Sequence, residues 1–286
     1  MVEIDGARLM ADLHELRAIG RFRTGVHRPT YSADDMAARR WTMDRLRAAG
    51  LEPVMDGIGN VMGRRPGGGR SLLIGSHTET QNHAGWLDGA LGVVYGIEVA
   101  RALRQDPATR ELPIEVISFA DEEGHFGSFH GSRSFVGELS DAEIDAARNR
   151  YDGTPLRDAL AAAGLAGLPR LAIDPARHRG YLEAHIEQGD TLDSQGLQVG
   201  IVTSIVAIWQ HRITIEGVQN HAGTTRMAIR KDAGLAAARL AVALDAAFPA
   251  VAGPRSVWTV GDIAFEPGAA SIIPGRAVML FQFRDT

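Results

Sequence analysis

An α/β domain followed by a smaller α+β domain is the fold class the sequence predicts, and three observations carry it. Apolar, β-rich runs at residues 71–74 and 114–120 flank a stretch of helical periodicity at 90–103, the alternation of an open sheet covered by helices. Each run stops at polar residues: His77 after the first and Asp121-Glu122-Glu123-Gly124 after the second, with a third strand or strand end at Tyr181-Leu-Glu-Ala-His185-Ile-Glu-Gln188-Gly189. Open sheets place their chemistry at such strand ends. From residue 201 the pattern becomes long β-rich segments around one alanine-rich helix, an order that suits helix on one face of an antiparallel sheet. The change divides the chain into residues 1–205 and 206–286.

Taken in order, residues 3–18 predict an amphipathic helix, with Ile4, Leu9, Leu13 and Leu16 near helical spacing. Residues 21–31 form a loop punctuated by glycine and proline. A second helix begins after Ser32, with Asp34 and Asp35 in its first turn, Met36, Met43 and Leu46 along one face and Gly50 at its C-terminal cap. Residues 51–55 and 59–62 read as short strands, and Arg64-Arg-Pro-Gly-Gly-Gly69 as the turn before residues 71–74. Val93, Val94, Ile97 and Ala100 stand at helical spacing. Residues 141–149 and 155–163 are predicted helices, and 164–180 a loop. In the second domain, 210–217, 257–265 and 277–283 are predicted strands. Residues 231–248 form a helix whose apolar face includes Leu235, Ala238, Val242 and Leu244. There is no repeat of 20 to 50 residues and no low-complexity tract.

Composition narrows the function. With 45% hydrophobic and 23% charged residues the chain is an ordinary globular sequence. Its net charge of -5 supplies no electrostatic attraction to nucleic acid or an anionic membrane. Having no cysteine, it can build neither disulfide nor thiolate site, so a metal would need nitrogen and oxygen donors. The N-terminus lacks the pattern of a signal peptide, and the sequence reading finds no apolar segment approaching the roughly 20 residues that span a bilayer. A soluble, cytoplasmic protein is the expectation.

The groups at the strand ends are His77, Asp88 eleven residues on, the Glu122-Glu123 pair and His185. Imidazole and carboxylate hold zinc, manganese, cobalt or nickel, and an aspartate can bridge two ions. On an extended backbone the adjacent glutamates would point apart, leaving one to bind metal and the other to act as general base. Individually each residue has a plainer reading: His77 as a satisfied structural group, the glutamates as a solvated charge run, Asp88 as the cap of its helix. Their joint occurrence at three strand ends favours a site. Gly89-Ala-Leu-Gly92 is no phosphate loop or dinucleotide fingerprint. Ser132 and Ser134 lack a nucleophile elbow, and His125 and His130 read as packed or exposed side chains.

In serial order, Gly75-Ser-His77, Trp86-Leu-Asp88-Gly-Ala-Leu-Gly-Val93, Asp121-Glu-Glu-Gly124, Gly131-Ser-Arg133, His185-Ile-Glu-Gln-Gly189, Asn220-His-Ala-Gly-Thr-Thr225 and Ile273-Pro-Gly275 resemble the motifs of the hydantoinase/carbamoylase family of amidases. That family is a branch of the aminoacylase and carboxypeptidase-like metallopeptidases. The resemblance implies a mixed-sheet metallopeptidase-like α/β catalytic domain with a smaller α+β lid that also makes a homodimer. It implies two divalent ions (Zn, Mn, Ni or Co), with His77, His185 and Glu123 as ligands, Asp88 as the bridge and Glu122 as general base. Gln188, Ser271 and Arg284 would contact substrate, and His221, from the lid of the neighbouring subunit, would polarise the scissile carbonyl. The implied activity is hydrolysis of a linear carbamoyl or ureido C–N bond, foremost in an N-carbamoyl amino acid. The alternatives are an aminoacylase or dipeptidase-type amide hydrolase and a non-catalytic, dimerising metal-binding fragment.

Departures from the family pattern bear on the site. Glu79 stands where the family usually has an aspartate that orients the first histidine. His125 occupies a position where arginine is common, and Ser271 one where asparagine is expected. Family members also carry a last metal-ligand histidine in a C-terminal segment that returns to the catalytic domain. The sequence contains no such segment, so a chain truncated at the C-terminus, with both domains incomplete, is the expectation.

Overall fold

The strand that carries the first histidine, β5 (Ser71–His77), lies inside a five-stranded sheet in the computed structural model, which describes residues 2–67 and 69–285. Its neighbours β6 (Ile114–Phe119) and β7 (His178–Leu182) both run parallel to it, while β4 (Val61–Arg64) and β3 (Glu52–Met55) continue the sheet antiparallel beyond β6. Register pairs His77 with Phe119 and Ile74 with Leu182. The carboxyl ends of the three parallel strands therefore lie side by side, and the loops leaving them start from one edge of the sheet. β5 runs on to His77, past the apolar run at 71–74, because Gly75, Ser76 and His77 stay in ladder register with β6. Of the turn expected at 64–69, Gly68 lies outside the described residues.

Helices cover this sheet as its alternation demands. α2 (Ala33–Ala48), capped by the Ser32 hydroxyl, and α3 (Ala90–Gln105) bury Leu46, Val93 and Ile97 against Val61 and Val116. Residues one step along those strands, Met62 and Ile117, face the other way and pack with Leu73, Phe119 and Leu171. Phe135, from α4 (His130–Phe135), joins that second layer. α1 (Gly6–Ala18), capped by Asp5, lays Leu13 and Leu16 against Ala90 and Val94 of α3. The loop at 21–31 contains a minimal hairpin, β1 (Arg21–Phe22) with β2 (Gly25–Val26). α5 (Asp141–Ala146), closed by a Ser140–Glu143 capping box, and α6 (Leu156–Ala162) bury Ile144, Leu156 and Leu160 with Ile58.

Polar groups tie the layers together. Glu98 of α3 accepts from the Asp5 backbone N–H (3.0 Å) and from two nitrogens of Arg8, and Arg101 reaches Asp12 of α1. At the amino end of β6 the fully buried Glu115 accepts from Ser71 Oγ (2.7 Å) and the Arg65 N–H (3.0 Å) and pairs with Arg177. One carboxylate thus pins β5, β6 and the entry to β7.

Cα packing separates a second unit, Leu192–Thr286, from Met1–Thr191; the change of sequence pattern falls later, at residue 206. A one-turn helix, α7 (Thr191–Ser194), stands at the junction. The second unit holds an antiparallel sheet in the order β10-β12-β8, made of β8 (Ala207–Glu216), β10 (Val257–Glu266) and β12 (Arg276–Asp285). A two-stranded ribbon pairs β9 (Asn220–His221) with β11 (Ile272–Ile273).

The helix α8 (Ala233–Ala247) corrects the sequence reading of its face. Ala233 and Ala237 are the residues buried against Ala277, Ile215 and Ile263, whereas Leu235 is 42% and Val242 71% exposed. The small alanines allow close approach to the sheet, and the bulkier aliphatics stay outside. The segment Ala233–Ala250 also has a mean hydropathy of 1.4 over 18 residues, long and apolar enough by length and composition to cross a membrane. This corrects the expectation that no segment approaches that length; part of its apolar character lies on the sheet-facing side.

The Glu115 clamp has a definite pH signature. Burial alone would raise its carboxyl, but the bonds from Arg177, Ser71 and the Arg65 amide outweigh it and hold the folded-state pKa below the ordinary 4.5. A carboxylate depressed in this way contributes stability in full above pH 4.5 and loses it as pH falls through the lower folded value. Glu115→Gln should cost roughly 2 kcal/mol at pH 7. In urea melts across pH 3–7, the gap between variant and native chain should narrow below about pH 4.5.

Candidate metal centre

His77 closes β5 and is almost wholly buried. Its Nδ1 lies 3.0 Å from the Glu79 backbone carbonyl, which fixes Nδ1–H as donor and turns the Nε2 lone pair toward Asp88 and Glu122. His185, in the loop after β7, repeats the arrangement: Nδ1 is 2.8 Å from the Ile186 carbonyl, and Nε2 is 3.1 Å from Asp88 Oδ1. The donor atoms of His77, Asp88 and His185 all lie within 4.8 Å of one another.

Asp88 faces this group because of the glycines that come after it. Gly89 starts α3 at φ +64°, and a Cβ there would come within 2.3 Å of His77 Nε2. At Gly92 a Cβ would meet the Ala184 carbonyl at 2.4 Å. The helix can therefore begin against the imidazole and beside the loop leading to His185. Asp88 is not the cap of this helix; the N-cap is Gly89, with no side-chain cap bond. Its Oδ2 instead accepts from Gln188 Nε2 at 2.7 Å.

Glu122 and Glu123 sit in a tight turn after β6, and not on the extended backbone expected from sequence. Asp121 takes φ +53° and Gly124 φ +69°. The buried Asp121 carboxylate stabilises that bend by accepting from the His125 and Phe126 amides and pairing with His130 at 2.9 Å. His125 and His130 are accordingly packed side chains. The two glutamates still diverge: Glu122 Oε2 is 3.4 Å from His77 Nε2, while Glu123 Oε1 accepts from the Gln81 N–H at 3.2 Å. Gln81 Nε2 also bonds the Glu123 carbonyl at 2.7 Å, and Tyr151 Oη donates to Gln81 Oε1.

The site carries an excess of negative charge. Burial pushes the Glu122 carboxyl up to about 7; His77 opposes this, and the charges of Glu79, Glu123 and Asp88 add to it. At His77 burial works against the imidazolium, but Glu79, Glu122 and Glu123 outweigh it and raise its pKa. Two imidazole lone pairs aimed at one carboxylate, each ring held from behind by a backbone carbonyl, are the donor set and outer support of a divalent cation. The residues present fit a metal.

Glu79 is the group whose role differs from expectation. Its backbone, not its side chain, orients His77. Its buried carboxylate accepts from the Glu122 N–H at 2.6 Å and meets Arg39 Nη2 at 3.3 Å. Sequence reasoning missed Arg39 and Gln81. Arg39 had a visible signal, since it stands three residues after Met36 and four before Met43, on the apolar stripe of α2.

The remaining sequence-derived residues lie in the second unit. His221 pairs with Ile272, and the Ser271 carbonyl accepts from the Ala222 N–H at 2.9 Å, which places both on the β9–β11 ribbon. Arg284 is exposed, opposite Val257 and Ile208 on β12. It is eight residues beyond Arg276, the end of β12 nearest the ribbon, or ~26 Å along an extended strand.

The similarities of the chain to known proteins are as specific as this geometry. Residues 73–281 match Peptidase family M20/M25/M40. An N-carbamoyl-L-amino acid amidohydrolase of Geobacillus stearothermophilus is 35% identical over 291 residues, covering 99% of this chain and 70% of that protein. An allantoate deiminase of Arabidopsis thaliana is 34% identical over 306 residues, covering 96% of this chain and 57% of that one. The crystal structure of a hydantoinase/carbamoylase family amidase from Burkholderia phymatum superposes with a TM-score of 0.87 at 50% identity, over 100% of this chain and 70% of that one. The chain belongs to the M20/M25/M40 family and, within it, to the hydantoinase/carbamoylase amidases.

A divalent ion that binds the folded state alone stabilises it by RT ln(1 + [L]/Kd), ~2.7 kcal/mol at one hundred times Kd. Adding manganese or zinc to metal-stripped protein should therefore raise its melting temperature, and His185→Ala should abolish the rise. A native chain whose melting ignores every divalent ion tried would contradict the metal centre.

Proposed function

We propose that this protein is a metal-dependent amidohydrolase that cleaves the C–N bond of a carbamoyl or ureido group, foremost in an N-carbamoyl amino acid or related ureido acid. The observation that carries the reading is the convergence of His77, Asp88 and His185 within 4.8 Å, with Glu122 beside them, in a chain of this amidase family. The names of its relatives, N-carbamoyl-L-amino acid amidohydrolase and allantoate deiminase, support the bond type.

In this reading His77, Asp88, His185 and Glu123 would hold two divalent ions; Gln81 engages Glu123 Oε1 and leaves Oε2 for a ligand. Bound metal supplies Lewis acidity and brings the ionisation of water near neutral pH. Glu122 takes the proton of the attacking water and delivers it to the departing nitrogen as the carbonyl carbon exchanges its C–N bond for C–O. A carboxyl poised near 7 suits that two-way transfer. His221 donates to the developing oxyanion, Gln188 and Ser271 contact the substrate, and the Arg284 fork grips its carboxylate.

Homodimerisation follows from the same assignment. His221 lies on the β9–β11 ribbon and Arg284 toward the far end of β12, ~26 Å of extended strand beyond Arg276, too far apart to meet on one small substrate. A single site using both would draw them from two copies. The exposed aliphatics of α8, Leu235 and Val242, offer an apolar face for a second copy.

Glu122→Gln should abolish ammonia release from N-carbamoyl amino acids while bound metal is unchanged; simple N-acyl substrates yield no ammonia and so separate an aminoacylase from a carbamoylase. Full activity in this variant would end the assignment of the base. Mixing refolded Glu122→Gln and His221→Ala chains should restore about a quarter of native activity, since half the dimers would be mixed and each would hold one intact site. No recovery on mixing would place His221 in the same chain as the site it serves.

A further inference from the structure

We propose that Glu79 and Arg39 are positioning residues that set the place of Glu122 through its backbone amide, and that the length of the Glu79 side chain is what makes the linkage. The inference rests on the reading of Glu122 as the base. It begins from a division of labour within residue 79: the carbonyl holds His77 Nδ1 at 3.0 Å, and the carboxylate makes its bonds elsewhere. One carboxylate oxygen accepts from the Glu122 N–H at 2.6 Å, and the other faces Arg39 Nη2 at 3.3 Å.

Arg39 is itself immobilised. Its Nε bonds Asp35 Oδ2 at 2.9 Å, its Nη1 bonds the Gly59 carbonyl, and its side chain is fully buried with those of Asp35 and Glu79. Asp35 in turn accepts from the Tyr31 N–H at 2.7 Å. A continuous set of charge-assisted bonds thus runs from α2 to the amide of Glu122, in a region where an unpaired charge would be costly. The turn at 121–124 is also held at Asp121, but that carboxylate reaches only amides after Glu122 and the His130 ring. Among the described residues, Glu79 is the side chain that anchors the Glu122 amide itself.

An aspartate would be shorter by one C–C bond, about 1.5 Å, and could not span from the Glu122 amide to Arg39. It would keep the carbonyl that orients His77. The expected consequence is a loosened base beside an intact metal centre, a displacement that lowers kcat and leaves KM nearly untouched.

The test compares Glu79→Asp with Glu79→Gln in the full metal-loaded chain, using residue-resolved hydrogen exchange at the Glu122 amide together with metal content and kinetics. Glu79→Asp should exchange at least ~10-fold faster at Glu122, with native metal content, and lose roughly 10- to 100-fold in kcat with KM within about twofold. Glu79→Gln keeps length and an acceptor oxygen, so its Glu122 amide should stay protected and its kcat should exceed that of the aspartate variant. Native-like protection in Glu79→Asp, or equal loss in both variants at native melting temperature, overturns the proposal. If the aspartate variant does not fold, the glutamine variant decides: a protected Glu122 amide supports the linkage, an unprotected one refutes it. The exchange measurement involves no turnover, so it stands apart from the assignment of Glu122 as base, which fails if Glu122→Gln keeps its activity.

Discussion

Two buried guanidinium groups hold the loop after β5, and the geometry of the site depends on them. Arg28, with no exposed surface, donates from Nε to the Thr78 carbonyl at 3.1 Å and from Nη1 to the Leu16 and Ile19 carbonyls, while its backbone pairs with Thr80. Arg39 holds the same loop through Glu79. Burial lowers the Arg28 pKa to about 10 against the pull of Asp35, Glu79 and Asp34, so the group remains a cation at neutral pH. The loop must carry His77 into a nest of carboxylates. Cations placed behind it offset part of that repulsion, and they bond to backbone as well as to acids, which fixes position as well as charge.

The histidines are oriented by backbone. Both present Nε2 to Asp88 because a main-chain carbonyl occupies Nδ1. Such support survives side-chain replacement at the supporting residue. That explains how Glu79 can occupy a position where the family usually has aspartate: the methylene that would misplace a histidine-orienting carboxylate instead carries it to the Glu122 amide. The glycines after Asp88 act in the same way on the other side, since only a missing Cβ lets α3 begin against the imidazole.

Much of this is legible in the residues. The periodicities of α2 and α3 and the caps at Ser32 and Gly50 are local signals, and the structure honours them to within a residue or two. The polar groups at strand ends mark His77, Asp88, Glu122 and His185, because a sheet has only one edge at which three parallel strands can end together. Features that the sequence misplaces share a different cause. Side-chain size points to the wrong face of α8, because the sheet accepts Ala233 and Ala237 in a contact that rewards closeness of backbone over bulk of side chain. Residues 122 and 123 read as extended because nothing local announces that Asp121 will adopt a positive φ; its buried bonds to two later amides and to His130 make that possible.

The sequence by itself determined the order of strands and helices, the chemistry available at the strand ends and the family, because these follow from residue type, spacing and serial motif. Only the tertiary structure decided which groups meet. It set Asp88 beside two histidines, assigned the carbonyl of Glu79 to His77 and its carboxylate to Glu122, and placed Arg39 at the centre of a buried network. The reason is physical: contacts such as Arg39–Glu79, Glu79–Glu122 and Asp88–His185 join residues far apart in the chain, and their energies come from burial and geometry that exist only once the sheet and its helices have packed.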